Sequence, residues 1–179
     1  DRLTRIVEQL LQLSRLEAGV LSSRFAWFSL RGVVERVQQI YQPLAEAGGV
    51  ELDVEVDPPD LQINGMEGLW DELLCNLVDN ALRHTPPGGV IRVRAGVEGK
   101  EWICLSVTDT GPGIPEDHSQ NLFDRFAQIP GRSNGTAGLG LALAAEIAVV
   151  HGGKLVLANP GKPGARFECR IPFSSGRRA

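Results

Sequence analysis

Residues 69–84 read LWDELLCNLVDNALRH, and the spacing inside this stretch decides the fold. At about 100° per residue along a helix, Glu72, Asn76, Asn80 and Arg83 fall within roughly a quarter turn of one another. Trp70, Leu73, Leu74, Leu77 and Ala81 gather on the other side, so one face is core and the other is chemistry or water. Asn is a poor interior helix residue because its side chain competes for backbone hydrogen bonds. Two of them one turn apart would most often be a solvated face. Two Gly-rich loops further along, Asp109 to Gly113 and Gly135 to Gly140, change that reading, because together with the helix they come in an order that makes a phosphate site.

Composition sets the frame for these motifs. A chain of 179 residues holds one domain with a sizeable core plus a short appendage, and its 42% hydrophobic and 22% charged content is that of an ordinary globular protein. The net charge of -4 gives no electrostatic footprint for nucleic acid. The basic cluster at Arg177 and Arg178 reads as a disordered tail over 174–179. No apolar run approaches the ~20 residues that cross a bilayer. Cys75, Cys104 and Cys169 lack C-x-x-C spacing and sit in apolar patterns, so small buried thiols are expected. His84, His118 and His151 do not complete a zinc site with them.

Around the central helix the chain alternates strands and helices. It begins without Met, inside a helical pattern, which suggests a piece of something longer. Leu3, Ile6, Leu10 and Leu13 form a stripe widened by Val7, Leu11 and Leu16. Gly19 ends it, and a helical stalk separate from the domain is expected over residues 1–19. Phe25, Trp27 and Phe28 suggest a short strand, and Ser29 the N-cap of a helix to about Ala47. Val50, Leu52, Val54 and Val56 alternate with acids as a half-buried strand ended by Pro58 and Pro59. A short strand near Leu61–Ile63 leads into the Asn-bearing helix. Strands follow at Val90–Val97 and Trp102–Val107, the second delivering Asp109. The stretch from Ile114 to Thr136 has little periodicity, with one or two helical turns expected at Asn121–Phe126. Phe123 and Phe126 are candidate anchors for it, and Gly131 and Gly135 candidate hinges. A helix from Gly138 to about Val150 and strands at Lys154–Leu157 and Ala165–Ile171 complete the chain. Helices and mostly antiparallel strands in this order predict a two-layer α/β sandwich: a mixed, mostly antiparallel sheet on about three helices, with the N-terminal stalk in addition.

Read singly, each loop is weak evidence. Asp109-Thr110-Gly111-Pro112-Gly113 places a carboxylate at a strand end before glycines that admit a ligand close to the backbone, and an ionised carboxylate accepts from an exocyclic amine such as that of adenine. Most D-x-G-x-G stretches are turns. Gly135, Gly138 and Gly140 lead into a helix whose N–H groups favour an anion. No Lys follows as in a Walker loop, and Leu143 stands where a dinucleotide fingerprint would have its last Gly.

Taken together, the elements resemble the ATP-binding catalytic domain of sensor histidine kinases, in the superfamily of the gyrase, Hsp90 and MutL ATPases. Asn76-Leu77-Val78-Asp79-Asn80-Ala81 resembles the family's N box and Asp109–Gly113 its first glycine box. Leu122-Phe123-Asp124-Arg125-Phe126 resembles the F box, and Gly138-Leu139-Gly140-Leu141 the second glycine box. His151-Gly152-Gly153 matches the usual helix end. The resemblance covers about residues 20–173 and implies the family's Bergerat-type fold, with ATP and Mg²⁺ as cofactors and a lid over about 114–137.

Residue by residue, the resemblance implies that Asn80 holds Mg²⁺ through its carboxamide oxygen with Asn76 beside it, and that Arg83 meets the phosphates. His84 stands at a position commonly aromatic, beside the nucleotide. Asp109 would read the adenine amine; Gly111, Gly113, Ile114 and Phe126 would border the base and lid. Gly135, Thr136, Gly138, Leu139 and Gly140 would meet the phosphates, although Ala137 departs from the hydroxyl residue common there. Asn76 replaces the Glu that activates water in the ATPase branches, and a carboxamide cannot take a proton at neutral pH. Glu72 is a poor substitute by distance. Phosphoryl transfer to a protein His therefore fits better than hydrolysis, and none of the three histidines has the family's acceptor setting. Residues 1–19 resemble the end of the second helix of the dimerisation hairpin whose first helix carries that His. The implied partners are the hairpin, a response regulator receiver domain and a second copy in a full-length homodimer. The implied location is the cytosol, with any membrane contact made through missing regions. A nucleotide-sensing interaction module and a slow ATPase are the alternative readings.

Overall fold

A computed structural model describes residues 2–17, 25–99, 101–129 and 138–173. After α1 (Arg2–Glu17) come β1 (Ala26–Ser29), α2 (Leu30–Ala47), β2 (Glu51–Asp57), β3 (Gln62–Gly65) and α3 (Glu67–His84). They are followed by β4 (Val90–Glu98), β5 (Trp102–Asp109), a 3₁₀ turn at Glu116–His118, α4 (Gly140–Val150), β6 (Lys154–Leu157) and β7 (Arg166–Pro172). The N-cap expected at Ser29 is present, its hydroxyl accepting from the Gly32 amide at 3.3 Å. α3 starts two residues earlier than its apolar pattern suggests, with Glu67 in a first turn that favours an acid.

Five strands form one sheet in the order β2-β4-β5-β7-β6, and β1 and β3 form a separate antiparallel ribbon. Only the β2–β4 pair is parallel; the other three pairings are antiparallel. Strand alternation sends Leu52, Val56, Ile91, Val93, Leu105, Val107, Phe167 and Cys169 to one face, where α2, α3 and α4 cover them. The opposite face carries charge. There Glu168 lies between Arg166 (2.7 Å) and Arg170 (3.0 Å), and Arg94 between Asp53 and Glu55. This is the mixed, mostly antiparallel two-layer sandwich the sequence predicts, with three helices on the sheet and α1 as a fourth.

Three expectations change. The first helix does not stand apart from the domain: Leu13 and Leu16 are buried in the common core, α1 packs against α4, and the Gln12 amide donates to the Glu72 carboxylate of α3. A stripe as broad as that of α1 needs apolar cover, and its C-terminal half finds it on its own chain. Asn121–Phe126 makes single turns rather than a helix, closed by Asp124 N–H to Asn121 O (3.1 Å) and Ala127 N–H to Asp124 O (3.2 Å). Phe126 at φ 64° cannot continue an α-helix. Finally, of the three thiols only Cys169 is buried; Cys75 and Cys104 are half-buried. Burial pushes the Cys169 thiol up to about 12.

The two ends of the helical layer meet at His151. Its Nε2 accepts from the Met66 amide (3.1 Å) at the start of α3, and its Nδ1 lies 2.7 Å from Ile147 O at the end of α4. The ring stacks on Phe25 at 5.1 Å and meets the edge of Trp70 at 5.4 Å. With Nε2 accepting, the ring is the neutral Nδ1–H tautomer. Burial holds its pKa below the usual 6.5 despite the Ile147 hydrogen bond. A group that binds its proton less readily folded than unfolded stabilises the fold above its unfolded pKa, and that stability is lost as pH falls through the folded value. The denaturant midpoint is therefore expected to drop between pH 7.5 and 5.5. His151→Gln should flatten that slope, and an NMR titration should place the His151 midpoint below 6.5.

Candidate nucleotide site

One face of α3 supplies the floor of a cavity of about 320 Å³, within the size range of small-molecule sites. Asn76, Asn80, Arg83 and His84 reach it from α3, and Asp109, Gly113 and Ile114 from the end of β5 and the loop beyond. Gly138, Leu139 and Gly140 close it at the start of α4. Ten of the expected site residues thus border one space. Gly111 lies in an adjoining shallow cleft with Arg83, His84 and Thr110. Phe126 borders neither; it is 57% exposed, so it does not anchor the loop, whereas Phe123 meets Phe167 edge-on at 6.3 Å. Gly131, Gly135 and Thr136 lie outside the described residues.

Asp109 is 5% exposed, and its Oδ1 accepts from the amides of Gly111 (2.8 Å) and Ala165 (3.2 Å). Burial raises its pKa, and those two hydrogen bonds act against the rise. They also fix the carboxylate's orientation, with Oδ2 as the second acceptor position. Gly113 is required here on two counts: its φ is +75°, and a Cβ would run into Lys162 O.

Across the cavity Asn76 is held from two sides. Its Nδ2 donates to Glu72 O at 3.0 Å, and a Cβ added at Gly140 would come within 2.9 Å of its Oδ1. The glycine thus lets α4 approach the α3 carboxamide closely. Among the described residues no side chain caps the α4 N-terminus, which places backbone N–H groups and the positive helix end beside the cavity. The loop that precedes α4 is clipped at its base, where the Phe126 amide donates to Gly138 O at 3.0 Å.

Several further residues line the cavity. Tyr41 reaches in from α2, its hydroxyl donating to Cys75 O at 3.3 Å; its isolation as the chain's single Tyr was the available signal. Glu72, half-buried and raised in pKa by burial, joins the wall beside Gln9 and Ile6 of α1. Asp79 pairs with Arg83 one turn on, Oδ2 to Nε at 2.8 Å and Oδ1 to Nη2 at 3.3 Å. The wall presents hard oxygen donors in Asn76 and Asn80, the type that Mg²⁺ takes in small number while phosphates complete its shell. Among the described residues no group of three or more His, Cys, Asp or Glu could hold a metal unaided.

Glycine geometry is directly testable. Gly113→Ala should cost about 2 kcal/mol or more, because it adds a backbone clash to an unfavourable φ. Gly88→Ala, at φ +83° with nothing within 4 Å of a Cβ, should cost only about 1 kcal/mol. Urea unfolding of the two variants measures the difference.

With this geometry in place, comparison with known proteins is informative. Residues 67–175 match the family described as histidine kinase-, DNA gyrase B-, and HSP90-like ATPase. The chain is 35% identical over 174 residues to the alginate biosynthesis sensor protein KinB of Pseudomonas aeruginosa, covering 96% of this chain and 29% of KinB. It is 30% identical to the histidine-protein kinase BaeS of Escherichia coli, covering 96% of this chain and 37% of BaeS. Among solved structures, full-length ShkA in complex with AMPPNP superposes with a TM-score of 0.86 at 28% identity, over 98% of this chain and 37% of ShkA. The catalytic domain of histidine kinase ThkA gives 0.74 at 27% identity, over 83% of this chain and 97% of that domain. The chain thus spans about a third of the length of the curated relatives quoted. Family match and fold agree: this chain belongs to the family described as histidine kinase-, DNA gyrase B-, and HSP90-like ATPase.

Proposed function

We propose that this domain binds ATP with Mg²⁺ and donates the γ-phosphoryl group to a His on a dimerisation hairpin, within a homodimer that passes the phosphoryl group to a response regulator receiver domain. The observation that carries the reading is convergence: a buried, oriented carboxylate, a stripe of carboxamides and the N-terminus of α4 face one cavity. Adenine fits at Asp109, where Oδ2 would take the exocyclic amine while Gly111, Gly113 and Ile114 border the ring. The phosphates fit between Arg83 and the Gly138–Gly140 backbone, with His84 beside the nucleotide. Asn80 would hold Mg²⁺, with Asn76 nearby. The ion would neutralise phosphate charge during transfer.

Positioning and charge stabilisation are the domain's contribution, since Asn76 offers no base for water. Residues 1–19 are proposed as the end of the hairpin's second helix, 20–173 as the catalytic domain and 174–179 as a tail. The loop over about 114–137, with Phe126, Gly135 and Thr136, is proposed as the lid. Among the described residues no helix is long and apolar enough to cross a membrane, and a cytosolic position beside the membrane is proposed by likeness to sensor kinases.

Calorimetric titration with ATP, with and without Mg²⁺, followed by assay of released phosphate, tests the reading. Tight binding with negligible release is expected; rapid release would favour the slow ATPase, and absence of binding the interaction module. Asn80→Ala should remove the Mg²⁺-dependent part of the affinity. Asp109→Asn should weaken ATP about tenfold or more, as loss of a charge-assisted hydrogen bond. It should leave the fold in place, because the amide oxygen can still accept from Gly111 and Ala165.

A further inference from the structure

The wall of the nucleotide cavity has an unexpected charge balance. Three carboxylates border it, Glu72, Asp79 and Asp109, and among the described residues Arg83 is its one Arg or Lys. That guanidinium is already engaged, since Asp79 holds it through two hydrogen bonds in a fork geometry. Neither partner is deeply buried: the side chains are 30% and 43% exposed. The pair is therefore cheap to open, and it competes directly with a phosphate for the same donors. Tyr41 of α2 borders the same cavity, and within α3 Asp79 adjoins Asn80 while Arg83 lies one turn beyond it.

We propose that Asp79, acting through its forked pair with Arg83, makes this site select the magnesium complex of ATP over the free nucleotide. Free ATP brings about four negative charges to a wall whose only described guanidinium is neutralised, and like charges repel. A divalent cation carried in with the phosphates removes the deficit. Asp79 is a positioning residue in this role: it sets how much of the Arg83 charge the phosphates meet.

This inference rests on the proposed nucleotide site, and the test separates the two. ATP affinity is measured by calorimetry in Mg²⁺ and in EDTA for the wild type, Asp79→Asn, Arg83→Gln and the double variant, with circular dichroism to verify that each is folded. Asp79→Asn is expected to tighten metal-free ATP about tenfold and the Mg²⁺ complex much less, so that the ratio of the two affinities shrinks. Raised salt should reduce the gain. In the Arg83→Gln background the same substitution should change the ratio little, because the group it acts through is gone. A loss of Mg²⁺-dependent affinity in Asp79→Asn, with metal-free binding unchanged, would overturn the inference and make Asp79 a metal ligand. An equal effect of Asp79→Asn with and without Arg83 would overturn it too. Absence of ATP binding to the wild type in either condition would instead refute the nucleotide site itself.

Discussion

A single helix does two incompatible jobs in this domain, and everything near the cavity depends on how α3 divides them. Trp70, Leu73, Leu74 and Leu77 are completely buried on one side, and truncating residues of this size typically costs about 3–5 kcal/mol. The helical period fixes where the other side points. Once the core face is seated, Asn76, Asn80 and Arg83 have no freedom to turn away from the cavity. The chemistry is thus registered by packing rather than by its own interactions, and a slip of one residue would carry both carboxamides out of the site.

The same helix is braced at its start and along its flank. His151 ties its start to the end of α4, and Tyr41 bonds to Cys75 O beside Asn76. Arg36 of α2 links Glu67 (2.8 Å) and Asp71 (2.9 Å) on its outer surface. Those exposed pairs contribute little energy. The buried contacts at His151 restrict how α3 and α4 move relative to one another, which matters because Gly140 and Asn76 belong to different helices and meet at close range.

Much of this was legible from residue order because helix and strand periods are local properties. The N-cap at Ser29, the Asn-bearing stripe and the carboxylate at the end of β5 all follow from spacings of a few residues. What was not legible depended on distant contacts. Alternation in β2 marks a strand but carries no direction, so its parallel pairing with β4 emerges only when α3 is seen to cross between them. The apolar stripe of α1 announces that it needs cover and cannot say whose; Leu13 and Leu16 find it against α4. Phe126 looks like an anchor because it is aromatic and sits two residues past Asp124, yet its backbone conformation turns the ring outward. Asp79 was hidden inside a motif, although its i,i+4 spacing to Arg83 in a helix was a local signal for the pair.

The hydrogen bond between the Phe126 amide and Gly138 O has a consequence for how such a domain can diversify. It joins the two ends of the intervening segment at one point, next to Ala127, Gln128 and Ile129, which border the nucleotide cavity. For a loop whose ends are pinned, doubling the length costs only about 0.6 kcal/mol in closure entropy. Insertions beyond Ile129 accordingly add little closure cost, while a substitution that disturbs the clip is felt by α4 and by Asn76 behind it. Length there can drift, and the anchor points cannot.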